Sequence, residues 1–274
     1  MRAEPPPDAA EHSATACVAD LVSLQQAWEA AAEDFVAWAR APAHDSFERF
    51  HGDQFLELVP PPGRLTLDIG CGEGRLSRAL KAHGHTVLGV DGSPTMVAAA
   101  HEADPSIAVR CASATALPVR DGGCDLAIAF MSLQDIDDMP GAIHDAARVL
   151  EPGGRLCVAI VHPLNSAGEF ESLEANSPFT IHGSYLRSFR YTEPARREGV
   201  SVTFHSMHRP LDAYFRALED AGFVVEALRE HAVPDSAIRH GGHRRWQRLP
   251  LFLHLRALRA PPASRISHHG AATR

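Results

Sequence analysis

Three glycines and two acids between Asp68 and Gly74 are the residues whose types and spacing most clearly indicate ligand binding. The glycines, Gly70, Gly72 and Gly74, follow a short apolar run and precede a helical pattern, so a strand, a tight turn and a helix are predicted. Glycine lets the backbone approach a ligand where a Cβ atom would collide. The spacing differs from the G-x-G-x-x-G of dinucleotide enzymes, because the third glycine comes one residue early. Asp68 and Glu73 beside the turn favour a cationic ligand over a pyrophosphate.

Asp91 ends a second apolar, β-rich run, 21 residues after Gly70. Doubly wound α/β folds place an acid at this point, where its two oxygens accept hydrogen bonds from the neighbouring hydroxyls of a ribose. Ser93 and Pro94 then predict the start of a helix, as its N-cap and its first residue. With the glycine turn upstream, ribose binding is a better interpretation of Asp91 than an isolated turn acid.

The stretch Asp68–Gly74 resembles the first motif of class I S-adenosylmethionine-dependent methyltransferases, hh-(D/E)-h-G-x-G-x-G, and matches it without a gap. The stretch Cys111–Phe130 is similar to the family's third motif, and Glu151–Gly154 to the P-G-G turn before its fifth strand. The resemblance covers roughly residues 45–259 and is motif-specific over residues 65–161. It implies S-adenosylmethionine as the cofactor and S-adenosylhomocysteine as the product.

The positions of these motifs imply a set of cofactor-binding residues. Ser113 stands where the family usually has an acid that accepts the adenine amino group, and a serine hydroxyl accepts more weakly than a carboxylate. Adenine would then depend on backbone groups near Ser113 and on apolar packing. The implied residues are Asp68, Gly70, Cys71, Gly72, Asp91, Gly92, Met96, Ser113, Ala114 and Met131.

The resemblance implies a doubly wound α/β fold with a mostly parallel seven-stranded sheet in the order 3-2-1-4-5-7-6. A helical N-terminal lid and an inserted cap are added to it. The predicted divisions are a disordered N-terminus (1–16), a helical lid (17–62), the S-adenosylmethionine-binding core (63–161), a substrate cap (162–208), the C-terminal part of the core (209–259) and a disordered tail (260–274).

Two helical patterns precede the core. The first, Val18–Arg40, has aromatic residues at helical intervals and is either a helix that packs on the core or a lid over the cofactor. The second, Asp45–Val59, carries Arg49 and His51. In similar enzymes a basic residue here can reach the methionine carboxylate, although a solvated helix face is the alternative.

The cap, Ser166–Met207, is predicted to contain a hairpin around a charged turn at Thr192–Glu198. Its aromatic residues either form the wall of a substrate pocket or pack the hairpin on the core. The residues expected to contact the substrate, in the cap and in the loops at the carboxyl ends of the strands, are Gln134, Asn165, Tyr185, Tyr191 and His208.

His162 is the first candidate for a general base, because it follows the fifth strand and has an ordinary pKa near ~6.5. Asp135, in the loop after the fourth strand, is the second candidate. His205 and His208 are weaker candidates. A metal site formed by His162, His205 and His208 is disfavoured because no supporting carboxylate spacing is visible, so no metal is predicted.

The 274-residue chain is 45% apolar and has a formal net charge of -8. This composition allows a sizeable core and argues against nucleic acid as the main substrate. The five cysteines lack metal-ligand spacing, no apolar run reaches ~18 residues, and the first residues lack an apolar signal core. We therefore expect a cytoplasmic protein without membrane or nucleic-acid partners, as a monomer or homodimer.

Three functions remain open at this level. The first is methyl transfer to a small molecule, including acceptors of specialised metabolism. The second is methylation of RNA or protein, although the Asn/Asp-Pro-Pro-aromatic motif that is usual for amino methylation of adenine is replaced by Met131–Gln134. The third is a non-methylating protein that binds S-adenosylmethionine.

Overall fold

A computed structural model describes residues 22–42, 44–238 and 241–261. The predicted disordered N-terminus, Cys17 and most of the predicted disordered tail lie outside these residues. The described part has no helix that is long and apolar enough to cross a membrane.

A seven-stranded sheet forms the centre of the structure. The strands of the chain are β1 (Thr66–Ile69), β2 (Val87–Asp91), β3 (Ala108–Cys111), β4 (Cys124–Phe130), β5 (Leu150–Val161), β6 (Gly168–Phe170), β7 (Phe179–Ile181), β8 (Phe189–Arg197), β9 (Val200–His208), β10 (Phe223–His231) and β11 (Phe252–Arg259). The central sheet has the order β3-β2-β1-β4-β5-β11-β10, with β11 antiparallel to both of its neighbours. This confirms the predicted order, since the four cap strands β6–β9 only shift the numbering.

Helices cover both faces of the sheet. They are α1 (Leu24–Ala30), α2 (Ala32–Arg40), α3 (Gly52–Leu56), α4 (Arg75–Ala82), α5 (Pro94–Ala103), α6 (Met139–Val149), α7 (Pro163–Ala167) and α8 (Leu211–Asp220). The central parallel strands β1 and β4 are buried on both sides, whereas β3 at the edge of the sheet is largely exposed. In β4, Ala127 and Ala129 pack under α6 and α8, while Leu126 and Ile128 face the opposite cluster with Phe55. Successive side chains of one strand therefore pack into two different hydrophobic cores, one on each face of the sheet.

The N-terminal pattern predicted for Val18–Arg40 forms two helices rather than one. They meet at Ala31, whose φ of -94° and ψ of 0° still lie in the right-handed helical region, and Ser23 begins α1 with a capping box that includes Gln26. The second pattern forms a π-helical turn, Phe47–His51, that leads into α3.

The cap contains the predicted hairpin, but its predicted turn is wrong. Strands β8 and β9 pair from Phe189 with His208 to Arg197 with Val200, so the turn consists of Glu198 and Gly199 alone. Both residues have positive φ angles, of 50° and 85°, as a two-residue type I′ turn requires. The charged residues that suggested a long turn instead form the exposed part of a two-stranded ribbon. A further small hairpin, β6–β7, precedes it and was not predicted.

Candidate active site

A cavity of about 590 Å³ lies at the carboxyl edge of the central sheet. Its walls come from the loops after β1, β2, β3 and β4, from α1 and α2, from the π-helical turn and from the β8–β9 hairpin. The volume is in the range of small-molecule sites, ~300–1,000 Å³. All ten residues that were expected to bind the cofactor line this cavity.

The glycine turn opens onto the cavity. Gly70 has a φ angle of 71°, and a Cβ atom there would lie 2.4 Å from the Ser132 Cβ atom. Gly72 has a φ angle of 54°, and a Cβ atom there would have only the Phe35 ring nearby, at 3.6 Å. Gly70 is therefore required by packing, whereas Gly72 keeps backbone accessible to a ligand.

The two acids of the turn have different surroundings. Asp68 is buried and accepts a hydrogen bond of 2.6 Å from the Ser77 hydroxyl. Burial raises the pKa of Asp68 to about 7, against the opposing effect of that bond. Glu73 is instead compensated by arginines, among them Arg78 at 2.8 Å and Arg75 at 3.6 Å. The ionisation of Asp68 can therefore respond to the charge of a ligand.

Asp91 is held by the backbone on both sides. Its Oδ2 atom accepts a hydrogen bond from the Gly72 amide at 2.8 Å, and Oδ1 accepts one from the Ser93 amide at 2.9 Å. A carboxylate offers about four lone-pair sites, so both oxygens keep acceptor capacity for a ribose diol. Burial raises the pKa of Asp91, and the two amide bonds oppose that shift.

The part of the cavity that is expected to hold adenine has few side-chain groups free to form hydrogen bonds. The Ser113 hydroxyl is within 2.8 Å of the Thr115 hydroxyl and accepts a hydrogen bond from the Thr115 amide. Met96 is buried, and Met131 has a positive φ angle of 56°. Together with the turn and Asp91, these walls fit S-adenosylmethionine: an accessible backbone at Gly72, a diol acceptor, and an apolar slot for the base.

Asp135, the second candidate base, faces the cavity. Its Oδ1 atom accepts a hydrogen bond of 2.6 Å from the Ser206 hydroxyl of β9, and Tyr191 of β8 is hydrogen-bonded to the same serine. Burial raises the pKa of Asp135 well above its usual range, although Ser206 and Arg209 oppose the shift. Arg209 also braces the Asp135 loop by donating to the carbonyl oxygens of Ile136 and Asp137.

His162, the first candidate base, is not part of the cavity wall. It is 3% exposed, its Nε2 atom lies 2.8 Å from a carboxylate oxygen of Glu230, and its Nδ1 atom accepts a hydrogen bond from the Leu164 amide. The ring thus caps α7 and ties it to β10. This placement does not support the expectation that its position after β5 directs the ring to the reacting groups, because both ring nitrogens have partners outside the cavity wall.

The five candidate substrate residues divide into two groups. Gln134, Asn165 and Tyr191 line the cavity, whereas Tyr185 and His208 do not. The Tyr185 hydroxyl accepts a hydrogen bond from the Leu211 amide at the start of α8, and its carbonyl oxygen lies 2.8 Å from His208 Nε2. These two residues join the cap to the core and do not contact the site.

Arg49 lines the cavity, with its guanidinium group 4.4 Å from the centre of the Phe50 ring. His51 is buried between Phe252 and His254, and burial lowers its pKa well below the ordinary value. Of the two basic residues considered for the methionine carboxylate, only Arg49 therefore has both the charge and the position.

The first helices are tied over the cofactor region. Glu29 of α1 accepts hydrogen bonds from the hydroxyls of Ser93 and Thr95, at the start of α5. The Trp28 indole N–H donates to the His205 carbonyl oxygen of β9 at 2.8 Å. Of the two readings for this segment, the geometry favours the lid.

Sequence reasoning missed two polar contributors to the cavity and the contact between its lid and cap aromatic residues. Ser206 and Glu193 of the hairpin gave no signal, because isolated polar residues in a strand are ordinary. An aromatic cluster of Trp28, Phe35, Trp38 and Phe204 also lines the site, with Phe204 between 6.3 and 6.4 Å from the other three rings. The helical spacing of the first three was visible, but their common contact with β9 was not.

Among the described residues, no group of three or more His, Cys, Asp or Glu side chains is arranged to hold a metal ion. The histidines once considered together have other partners: His162 contacts Glu230, and His208 contacts Ser166 and Tyr185.

Comparison with known proteins agrees with this geometry. The sequence profile described as a methyltransferase domain matches residues 67–158. An uncharacterised 37.1 kDa protein in transposon Tn4556 of Streptomyces fradiae is 31% identical over 73% of the chain and 55% of the relative. The demethylmenaquinone methyltransferase of Beutenbergia cavernae is 33% identical over 47% of the chain and 50% of the relative. The chain thus spans about half the length of these curated relatives.

Among solved structures, an S-adenosylmethionine-dependent methyltransferase from Mesorhizobium loti is 25% identical, with a TM-score of 0.61 over 76% of this chain and 96% of that chain. Its fold match covers a larger share of the chain than the profile, which is limited to residues 67–158. The profile, the sheet order and the ten cavity-lining motif residues agree with one another. Residues 67–158 therefore form a methyltransferase domain, and the chain has the fold of S-adenosylmethionine-dependent methyltransferases.

Proposed function

We propose that the chain transfers a methyl group to a small molecule bound in the same cavity, and that Asp135 takes up the acceptor's proton. One observation carries the proposal: the Asp135–Ser206–Tyr191 network and the cofactor motifs face one enclosed space. The bound cofactor supplies an electrophilic methyl group on its sulfonium. The protein's own contribution is to position the acceptor and to exclude water from it.

Asp135 suits the role of proton acceptor for two reasons. It lies in the loop after β4, at the edge of the sheet where open α/β folds bind their ligands. Its raised pKa makes the carboxylate a stronger base than an ordinary aspartate, and a general base works best when its pKa is near the working pH. Ser206 fixes one oxygen of the carboxylate, which orients the other.

The shape of the site supports a small acceptor over RNA or protein. The lid and the hairpin close over the cavity through the Trp28–His205 hydrogen bond, and a pair formed by Arg190 with Asp137 adds a second closure. The net charge of -8 also disfavours a polyanion. The Beutenbergia cavernae relative is named as a demethylmenaquinone methyltransferase, and demethylmenaquinone is neither RNA nor protein. This also supports a small-molecule acceptor.

The test is methyl transfer from labelled cofactor to a panel of small molecules, with Asp135→Asn as the variant. We expect turnover to fall by ~10²–10⁴ while cofactor affinity stays nearly unchanged, because the asparagine cannot take up a proton. Asp212→Asn on the exposed surface of α8 is the matched control. Unchanged turnover in a folded Asp135→Asn protein would exclude Asp135 as the base. Absence of transfer to every acceptor, with tight cofactor binding, would favour a non-methylating protein.

A further inference from the structure

Hydrogen-bond acceptors without matching donors gather in the part of the cavity beyond the cofactor motifs. The Gln134 side chain is 4% exposed, and its Oε1 atom has no hydrogen-bond partner. Its amide nitrogen is already used, because it donates to the Met131 carbonyl oxygen at 2.7 Å. A buried acceptor without a partner costs free energy, which a ligand with an N–H or O–H group would recover.

Glu193 adds a carboxyl group to the same region. It pairs with Phe204 across the hairpin, and directly opposite residues project to the same face of a two-stranded ribbon. Phe204 and Glu193 both line the cavity. Although Glu193 is among the exposed residues of the ribbon, the surrounding protein removes part of the hydration of its carboxyl group and raises its pKa, a cost that a neighbouring cation would offset.

Asp135 belongs to this group as well. Burial is the main cause of the raised pKa of Tyr191, and the charges of Asp135 and Glu193 raise it further. Because Tyr191 lies on the same hairpin face as Glu193, the two carboxyl groups act on one part of the cavity. Gln134, Asp135 and Glu193 together present acceptor oxygens from the β4 loop and from the cap.

Each cation of the cavity wall has a neighbour other than the three acceptors. Arg75 lies 3.0 Å from Asp45, although its buried Nη1 atom makes no well-aligned hydrogen bond, Arg49 lies over the Phe50 ring at the position considered for the methionine carboxylate, and the Arg197 guanidinium lies 5.7 Å from the centre of the Trp38 ring. The last contact shows that the aromatic cluster presents ring faces to a positive charge. Such faces attract ammonium groups as well as guanidinium groups.

We propose that the methyl acceptor is an amine that is protonated in solution, with its N–H groups directed to Gln134, Asp135 and Glu193 and its apolar part against the aromatic cluster. This rests on the proposed methyl transfer. An ammonium group has only donors, which complements a set of acceptors. A carboxylate would meet like charges, and an alcohol would leave at least one carboxyl group uncompensated.

The reaction balances without a further reactant. Asp135 takes one proton from the ammonium group, and this frees the nitrogen lone pair. That pair forms the new N–C bond to the methyl group as the C–S bond breaks, with the electrons of the broken bond left on sulfur. The products are a methylated ammonium and a neutral thioether, and Asp135 returns its proton to water.

The experiment measures binding separately from turnover. Matched sets of 2-substituted ethylamine, the corresponding ethanol and the corresponding propanoate, each with a phenyl, cyclohexyl or indolyl body, are titrated by calorimetry into the protein with S-adenosylhomocysteine present. We expect at least one amine to bind about tenfold or more tightly than its own alcohol, and the propanoates to bind most weakly. If no amine exceeds its matched alcohol in any of the three sets, the inference is wrong.

A charge-removing variant tests the assigned contacts. Glu193→Gln should weaken amine binding about five- to tenfold, the scale of a partly exposed ion pair, and leave alcohol binding unchanged. Glu198→Gln in the turn of the same hairpin is the matched control, because it removes an equal charge outside the cavity wall. Equal losses for amine and alcohol in Glu193→Gln would overturn the assignment.

The two proposals fail differently. Transfer of labelled methyl to an alcohol or phenol, with no amine preference in binding, would overturn the amine inference and leave methyl transfer in place. Selective amine binding without any transfer would support the amine site and overturn the proposed function.

Discussion

Replacing Asp68 by asparagine tests whether burial in the glycine turn makes the ionised form of this aspartate unfavourable. The pKa of Asp68 is raised from 3.8 to about 7 because its charged form loses hydration. An acid whose pKa is higher in the folded than in the unfolded protein contributes fully to the free energy of unfolding below its unfolded pKa. That contribution is lost as the pH rises through the folded pKa. At ~1.36 kcal/mol per pKa unit, wild-type protein loses ~4 kcal/mol across this window. Asparagine stays neutral, and its amide oxygen can still accept from Ser77.

Urea unfolding of both proteins at pH 5 and pH 8, without ligand, measures this difference. The advantage of Asp68→Asn over wild type should be larger at pH 8 by ~2–3 kcal/mol, because most of the titration lies between these values. Asp53→Asn, an exposed position in α3, is the control and should give the same difference at both pH values. If the Asp68→Asn difference is also the same at both, Asp68 ionises in the folded protein as it does in the unfolded chain, and the reasoning from burial is refuted.

Binding gives a second readout for the same substitution. A cationic ligand beside Asp68 favours its ionised form, so cofactor binding near pH 7 should release a proton from wild-type protein. Calorimetry in two buffers of different ionisation enthalpy detects that proton. The release should be absent in Asp68→Asn, and the affinity of the variant should be lower. An equal proton release in both proteins would place the titrating group elsewhere.

Three further substitutions have defined outcomes. Asp91→Asn should weaken cofactor binding by about ten- to a hundredfold and bind no more tightly than Asp91→Ala. The reason is that both carboxylate oxygens accept hydrogen bonds from backbone amides, and the NH₂ group of asparagine would face one of these donors. A near wild-type affinity measured by calorimetry would contradict this. His162→Ala should lower the free energy of unfolding by ~1–3 kcal/mol through the loss of the α7 cap and the Glu230 contact, with turnover per folded molecule nearly unchanged; a loss of ~10² or more in turnover would restore it as a base. Trp28→Phe keeps most of the ring contacts but removes the hydrogen bond to β9, so stopped-flow fluorescence should show faster cofactor dissociation; unchanged dissociation would mean that this bond does not limit opening.

The central sheet and the glycine turn could be predicted because their signals are local. Short apolar runs ending at Asp91 or followed by closely spaced glycines determine a strand and the turn after it, and the positive φ angles of Gly70 and Gly72 agree with that pattern. The N-cap predicted at Ser93 is also present, with its hydroxyl accepting from the Met96 amide. Each of these features depends on residues within a few positions of one another.

The catalytic side of the site could not be predicted to the same extent, because it depends on long-range contacts. The sequence places His162 correctly at the end of β5, but the direction of its ring depends on Glu230 in a strand much later in the chain. Asp135 was a candidate by position alone, and its partner Ser206 comes from the cap. Nothing near either residue in the sequence indicates which of the two reaches the cavity.

The placement of Glu29 has a consequence for the order of events during turnover. Its carboxylate accepts hydrogen bonds from Ser93 and Thr95 at the start of α5, shortly after Asp91, and these bonds lower its pKa. Gln25 and Trp28 of α1 line the cavity, so α1 forms part of its wall while these bonds hold. We expect exchange of spent cofactor for fresh cofactor to require α1 to lift. Release of the product nucleoside, rather than the chemical step, would then limit the rate of turnover, as in other enzymes whose active site is covered by a lid.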